Sequence, residues 1–246
     1  GAGTISLALS QSLMKRLIDG TAFAMAQQDV RYYLNGMLLE VKKGHLRTVA
    51  TDGHRLAMTR QALPSGAAQM PSIILPRKAV SELRKLLDDF DGDVLVGLSE
   101  TRAEFRFGVV RLTSKLIDGT FPDYQRVIPK ENLNKLMVSK SEFSKAIDRV
   151  STVSIEKSRA VKLSLINNLL SLNVSSHDLG NASEELEIDY NYDNLEIGFN
   201  AKYLLDIAAQ IQGKEIEILL SDSASPALIT DPDQDGVIFV LMPMRV

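Results

Sequence analysis

Cysteine is absent from all 246 residues. No disulfide framework, thiolate nucleophile or cysteine-based zinc site can therefore be built, which fits a reducing, cytoplasmic setting. Histidine is scarce, with only His45, His54 and His177. No apolar run approaches the roughly 18 residues that cross a bilayer, so no membrane partner is expected. Gly1-Ala2-Gly3-Thr4 lacks the charged and apolar regions of a signal peptide. Residues 1–3 read instead as a cloning scar on a piece of a longer protein. The metalloprotease, serine-hydrolase and Walker A signatures are missing, as are glycine-rich phosphate loops. The run Asp231-Pro232-Asp233-Gln234-Asp235-Gly236 opens like a calcium loop. It lacks the spaced ligands and terminal Glu of an EF-hand and reads as an acidic hairpin. No metal or cofactor is expected. The net charge is −3, where a protein binding nucleic acid by charge alone would be basic.

What is present is a repeat. A short apolar strand runs into a polar cap and an amphipathic helix four times, with caps at Ser10, Pro76, Ser139 and Asn200. The spacings are 66, 63 and 61 residues. Leu9-Ser10-Gln11-Ser12 aligns with Val138-Ser139-Lys140-Ser141 at an offset of 129, about half the chain. Two tandem domains follow, each holding two strand–helix units. Ser10 and Ser139 suit N-caps because a hydroxyl accepts a bond from an unpaired helix N–H. Pro76 suits a first turn, where no N–H is needed.

Strand-like segments follow each helix. Arg102 to Phe107 alternates polar and apolar, as a half-buried strand does. Lys43-Gly44, Asp52-Gly53 and Asn167-Asn168 mark turns. The plan is β-α-β-β-β four times, with short turns making the strands antiparallel neighbours, so the fold class is α+β. Residues 120–129 carry two prolines and no periodicity and read as a stiff, extended connector. The expected domains are 1–122 and 123–246.

One place invites a catalytic reading. Asp52 and His54, in Thr51-Asp52-Gly53-His54-Arg55, set an acid near an imidazole. A turn joining two strands accounts for them more simply, since no nucleophile or metal-ligand motif accompanies them. The helices, taken as residues 10–26, 76–90, 139–154 and 200–213, sum to +3, leaving −6 elsewhere. Lining one surface, they would make it mildly basic on an acidic body. By charge alone four ordinary solvated helix faces account for them better.

Four runs together resemble one family, the bacterial DNA polymerase III β sliding clamps. They are Gln28-Asp29-Val30-Arg31-Tyr32-Tyr33-Leu34-Asn35-Gly36, Thr48-Val49-Ala50-Thr51-Asp52-Gly53-His54-Arg55-Leu56-Ala57, Ser114-Lys115-Leu116-Ile117-Asp118-Gly119 with Phe121-Pro122-Asp123-Tyr124, and Met242-Pro243-Met244-Arg245-Val246. They spread over nearly the whole chain. The resemblance implies two tandem clamp domains, the middle and C-terminal ones, with helices on one face and antiparallel sheets on the other. It implies a non-catalytic processivity factor for replication. The complete protein would be a ring-shaped homodimer around duplex DNA, and a piece without the first domain would be a monomer.

The resemblance also implies sites. A peptide groove between the two domains would take Gln-Leu-x-Leu-Phe-like motifs. Its partners would be the polymerase III alpha subunit, the clamp-loader delta subunit, translesion polymerases and mismatch-repair proteins. Carried over residue by residue, its lining is Leu34, Thr51, Gly53, His54, Arg55, Leu56, Pro122, Arg126 and Val127. Tyr203, Val240, Met242, Pro243, Met244 and Arg245 complete it. Pro226 stands where the family typically has Ser. Duplex DNA would meet Gln28, Tyr32 and Tyr33, with Lys15, Arg77, Lys78, Lys140 and Lys145 facing the hole. Two other functions stand beside this one: an enzyme using His54 with Asp52, and a structural module whose repeats serve only assembly.

Overall fold

The computed structural model describes residues 4–154 and 160–246, so the scar reading of residues 1–3 lies outside the described residues. Two compact units divide between Tyr124 and Gln125.

In the first unit, β1 (Ile5–Ser10) enters α1 (Gln11–Asp19), and β5 (Ile73–Pro76) enters α2 (Arg77–Leu87). Each helix is followed by three strands: β2 (Gly36–Lys42), β3 (His45–Thr51) and β4 (Arg55–Ala62), then β6 (Asp93–Leu98), β7 (Arg102–Phe107) and β8 (Val110–Lys115). All the pairings are antiparallel. The leading strands exchange places. β1 pairs with β6, in the order β1-β6-β7-β8, while β5 pairs with β2, in the order β4-β3-β2-β5. Each half of the repeat thus completes the other's sheet, and neither half forms its sheet alone.

Caps and packing fix the helices. The Ser10 hydroxyl accepts from the Leu13 N–H at 3.2 Å. Met14, Leu17 and Ile18 of α1, and Ala79, Val80, Leu83 and Leu87 of α2, are buried. Each large apolar side chain so buried contributes about 1.5–3 kcal/mol. The first helix ends at Asp19, well short of residue 26. The hydroxyls of Thr21 and Thr48 donate to the Leu17 carbonyl at 3.0 and 2.7 Å, satisfying it from outside the helix. The other three helices are also shorter than their sequence patterns. The second stops at Leu87, and those of the second unit span Lys140–Ser151 and Ala201–Gln210.

The second unit repeats the plan. β9 (Asn134–Ser139) leads into α3 (Lys140–Ser151), followed by β10 (Ala160–Ile166), β11 (Leu169–Ser176) and β12 (Gly180–Glu187). A short β13 (Asp189–Tyr190) precedes β14 (Leu195–Asn200) and α4 (Ala201–Gln210). Then come β15 (Glu215–Leu220), β16 (Ala227–Thr230) and β17 (Val237–Leu241). The exchange recurs, with β14 beside β10 and β9 beside β15. Phe143, Ala146, Ile147 and Val150 of α3 and Leu204, Ile207 and Ala208 of α4 are buried. The acidic run behaves as a turn. Asp231 is 3% exposed, and its carboxylate accepts from the N–H groups of Gln212 and Asp233 at 2.7 and 2.9 Å.

The connector bends. Tyr124 starts a single 3-10 turn, Tyr124–Arg126, and is buried. Its hydroxyl donates to Glu40 Oε1 at 2.6 Å and accepts from Arg47 Nη1 at 3.3 Å. Burial, then the Glu40 carboxylate, push the Tyr124 hydroxyl up to about 12. Among the described residues, no helix is long and apolar enough to cross a membrane.

Candidate functional site

The turn between β3 and β4 is built by Asp52. Its carboxylate accepts from the N–H groups of His54 and Arg55 at 2.9 and 3.1 Å and from Arg55 Nε at 3.2 Å. The Thr51 hydroxyl donates to the Arg55 carbonyl at 2.6 Å. Arg55 continues inward, donating to the Phe23 carbonyl at 2.9 Å and lying over the Phe23 ring. Both Asp52 oxygens are therefore spent on holding the turn, which disfavours an acid–imidazole dyad. His54 is exposed at its tip.

A second loop leans on this turn. Asp29 accepts from the Arg31 backbone N–H at 2.8 Å and from its guanidinium at 3.1 and 3.0 Å. The Arg31 side chain, then its backbone N–H, hold the Asp29 carboxyl below the usual carboxylate range. The guanidinium lies over Gly53, whose φ is +89°, and a Cβ there would sit 3.1 Å from Arg31 Nη2. Gly53 thus supplies both a left-handed backbone and the room for Arg31. Gln28 also has positive φ, at 55°, and Tyr32 and Tyr33 meet edge to face with ring centroids 5.7 Å apart. Tyr32 is exposed, while Leu34, behind it, is buried at 1% exposure.

Of the predicted peptide-site residues, Leu34, Thr51, Gly53, His54, Arg55, Leu56 and Pro122 belong to the first unit. Leu56, like Leu34, is buried, while Pro122 is exposed. Arg126, Val127, Tyr203, Val240 and residues 242–245 belong to the second. There the chain end folds back along β14, with the Met244 N–H donating to the Gly198 carbonyl at 2.7 Å. A Cβ on Gly198 would collide with Val246 Cγ1 and come within 2.7 Å of the Met244 carbonyl, so glycine admits the tail. A cavity of about 610 Å³ opens there, lined by Pro243, Met244 and Arg245 together with Gly198, Ser223 and Val246. Met242 and Met244 are about two-fifths exposed, whereas Val240 is buried. The rim carries Glu196 and Arg245. This hollow sets the apolar groups of Ile197, Pro243, Met244 and Val246 beside two charged fixing points, suited to an apolar side chain on a polar backbone. Sequence reasoning missed Gly198, gave Arg31 no role beyond its run, and marked residues 223–226 only for Pro226. Only the glycine itself hinted at the path of the tail. The Ser225 side chain, then the Ala224 N–H, hold Asp222 below its ordinary value and close the turn at residues 222–225. Pro226 ends it, its carbonyl accepting from Asn132 Nδ2 at 2.8 Å.

The candidate cations for nucleic acid are unequal. Lys15 pairs with Asp88 at 2.5 Å, and Arg84 with Asp19 at 2.7 Å, both across the α1–α2 contact. The Asp88 hydrogen bond, then its charge, raise the Lys15 pKa. Arg77 donates to the Met25 carbonyl at 3.4 Å, and Lys140 to that of Ile211. Lys78 and Lys145 are exposed, each on the polar side of its helix.

Comparison with known proteins gives these residues a context. The description of the DNA polymerase III beta subunit, central domain, matches residues 8–123, and that of its C-terminal domain matches residues 125–245. The chain is 46% identical to the beta sliding clamp of Caulobacter vibrioides over 244 residues, covering 98% of this chain and 66% of that protein. It is 45% identical over 251 residues to the Pseudomonas aeruginosa clamp, covering all of this chain and 67% of that protein. The chain thus spans about two thirds of the length of these relatives. The crystal structure of a Bartonella birtlesii sliding clamp bound to griselimycin superposes with a TM-score of 0.97 at 50% identity, over the whole chain and 67% of that one. A Caulobacter crescentus sliding clamp structure gives 0.95 at 45% identity with the same coverage. The chain belongs to the family of the DNA polymerase III beta subunit, the bacterial beta sliding clamps.

Proposed function

We propose that this chain forms part of a DNA sliding clamp, a non-catalytic cytoplasmic processivity factor that tethers replication and repair proteins to duplex DNA. The observation that carries the reading is the joint match of both units to the two clamp domains, at 45% identity or more to several relatives. The working assembly is a ring-shaped homodimer around DNA. Gln28, Tyr32 and Tyr33 touch the duplex, and the helix cations Lys78 and Lys145 face it, with Lys15, Arg77 and Lys140 behind. Most of these helix cations are neutralised or engaged locally, so the attraction to phosphate is weak. That suits a protein held by topology, which must slide rather than grip. The net charge of −3 is then no obstacle.

Partners dock by a short Gln-Leu-x-Leu-Phe-like segment. In the second unit the hollow beside Pro243, Met244 and Arg245 takes the apolar end, its Met244 side chain adapting to several sequences. In the first unit the turn from Thr51 to Leu56 supplies His54 as a polar contact, with Arg55 bracing the turn from within. The polymerase III alpha subunit, clamp-loader delta subunit, translesion polymerases and mismatch-repair proteins share this docking mode. Calorimetric titration with a Gln-Leu-x-Leu-Phe pentapeptide tests it. Binding is expected in the micromolar range, about −8 kcal/mol. No heat at millimolar peptide would sink the assignment.

A further inference from the structure

The outward face of the sheet β1-β6-β7-β8 carries a feature that the docking and DNA readings do not use. Alternation sends Leu7, Val96 and Phe105 inward and leaves Ser6, Ala8, Leu95 and Gly97 facing out on β1 and β6. These side chains are small except Leu95, which is 48% exposed. A Cβ placed on Gly97 would meet nothing within 4 Å. The result is a trough of about 680 Å³. One wall is the loop at Ser65 and Gly66. Gly66 has a φ of +88° and lets the loop press on β1, since a Cβ there would lie 2.6 Å from the Ser6 carbonyl.

The opposite wall is basic. Arg102 and Arg106 of β7 line it with a single acid, Glu104, and Arg111 and Lys115 stand beyond them on β8; Glu104 pairs with Arg106 at 3.2 Å and Arg111 at 3.1 Å. Arg102 lies directly opposite Lys115 in the register. No ion pair joins either of them to a carboxylate among the described residues. Like charges placed opposite on neighbouring strands destabilise a sheet, so folding does not account for this pair. A net positive wall beside an apolar floor, on a chain of net charge −3, is complementary to a ligand that is acidic and carries an apolar group.

We propose that this trough binds an extended acidic peptide segment with a leucine or phenylalanine side chain. Its carboxylates meet Arg102 and Lys115, and its apolar side chain lies over Gly97 against Leu95. A nucleic acid fits less well, because the face offers two uncommitted cations and a floor without an aromatic ring on which a base could stack. The site shares no residue with the Gln-Leu-x-Leu-Phe docking surface and stands or falls independently of it.

Fluorescence anisotropy with a labelled acidic octapeptide bearing one central leucine provides the test. Saturable binding below about 1 mM is expected. Arg102→Glu reverses the key charge, and Gly97→Val fills the trough in open space. Each is expected to weaken binding at least about tenfold, with circular dichroism and melting unchanged. Replacing the peptide leucine by alanine is expected to weaken it similarly. The proposal is overturned by absence of saturation at millimolar peptide or by unaltered affinity in both folded variants. It is equally overturned by tighter binding of a single-stranded oligonucleotide of equal charge, or by displacement of the octapeptide by the Gln-Leu-x-Leu-Phe pentapeptide.

Discussion

Gly53 shows how much one residue carries. It takes a φ of +89° and leaves room for the Arg31 guanidinium, so a side chain there meets both backbone strain and crowding. Gly53→Ala is expected to cost about 1–2 kcal/mol of stability, read by urea melts, and to weaken pentapeptide binding. Tyr124 is a second such residue. Tyr124→Phe leaves Glu40 and the buried Arg47 short of a partner and is expected to cost about 1–3 kcal/mol. The hydroxyl titrates at about 12 in the folded protein against about 10 in a free chain. The folded state therefore holds this proton more tightly. The stability it supplies is complete below the free-chain value and is lost as pH rises from about 10 through about 12. Thermal melts across that range are expected to show an alkaline fall that Tyr124→Phe reduces. The carried-over site list named surface and support alike, because a motif records identity and not exposure. Leu34, Leu56 and Val240 are buried, whereas Arg31, which shapes the turn at Gly53, was passed over.

Elements were legible where their pattern was strong. The four strand-to-helix steps stand where caps and apolar spacing put them, and β7 covers the alternating run from Arg102 to Phe107. The strand β12, Gly180–Glu187, was not read, because its glycine and four acidic or amide side chains carry little apolar alternation. It forms by pairing with β11, along a register from Leu169 opposite Glu187 to Ser176 opposite Gly180. The exchange of leading strands was equally hidden, since a repeat gives the order of elements but not which sheet each joins. The C-terminal tail beside β14 offers an element-scale prediction. Gly198→Ala is expected to displace residues 244–246 while leaving the fold's melting temperature nearly unchanged. Pentapeptide affinity is expected to fall by about tenfold, roughly 1.4 kcal/mol, in calorimetry.

For the whole molecule, the balance of charge matters more than its sign. The α1–α2 ion pairs of Lys15 and Arg84 consume cations that a tight DNA binder would present. Weak duplex binding is therefore expected, falling steeply between about 50 and 200 mM salt. Lys78→Glu with Lys145→Glu is expected to abolish it at low salt, as read by anisotropy with a labelled duplex. Partner docking is the central claim, and amide hydrogen exchange with and without the Gln-Leu-x-Leu-Phe pentapeptide tests it most directly. The account predicts slowed exchange in two separate stretches, the Thr51–Leu56 turn and the tail around Met244. Protection confined to other segments, or none at saturating peptide, would contradict it.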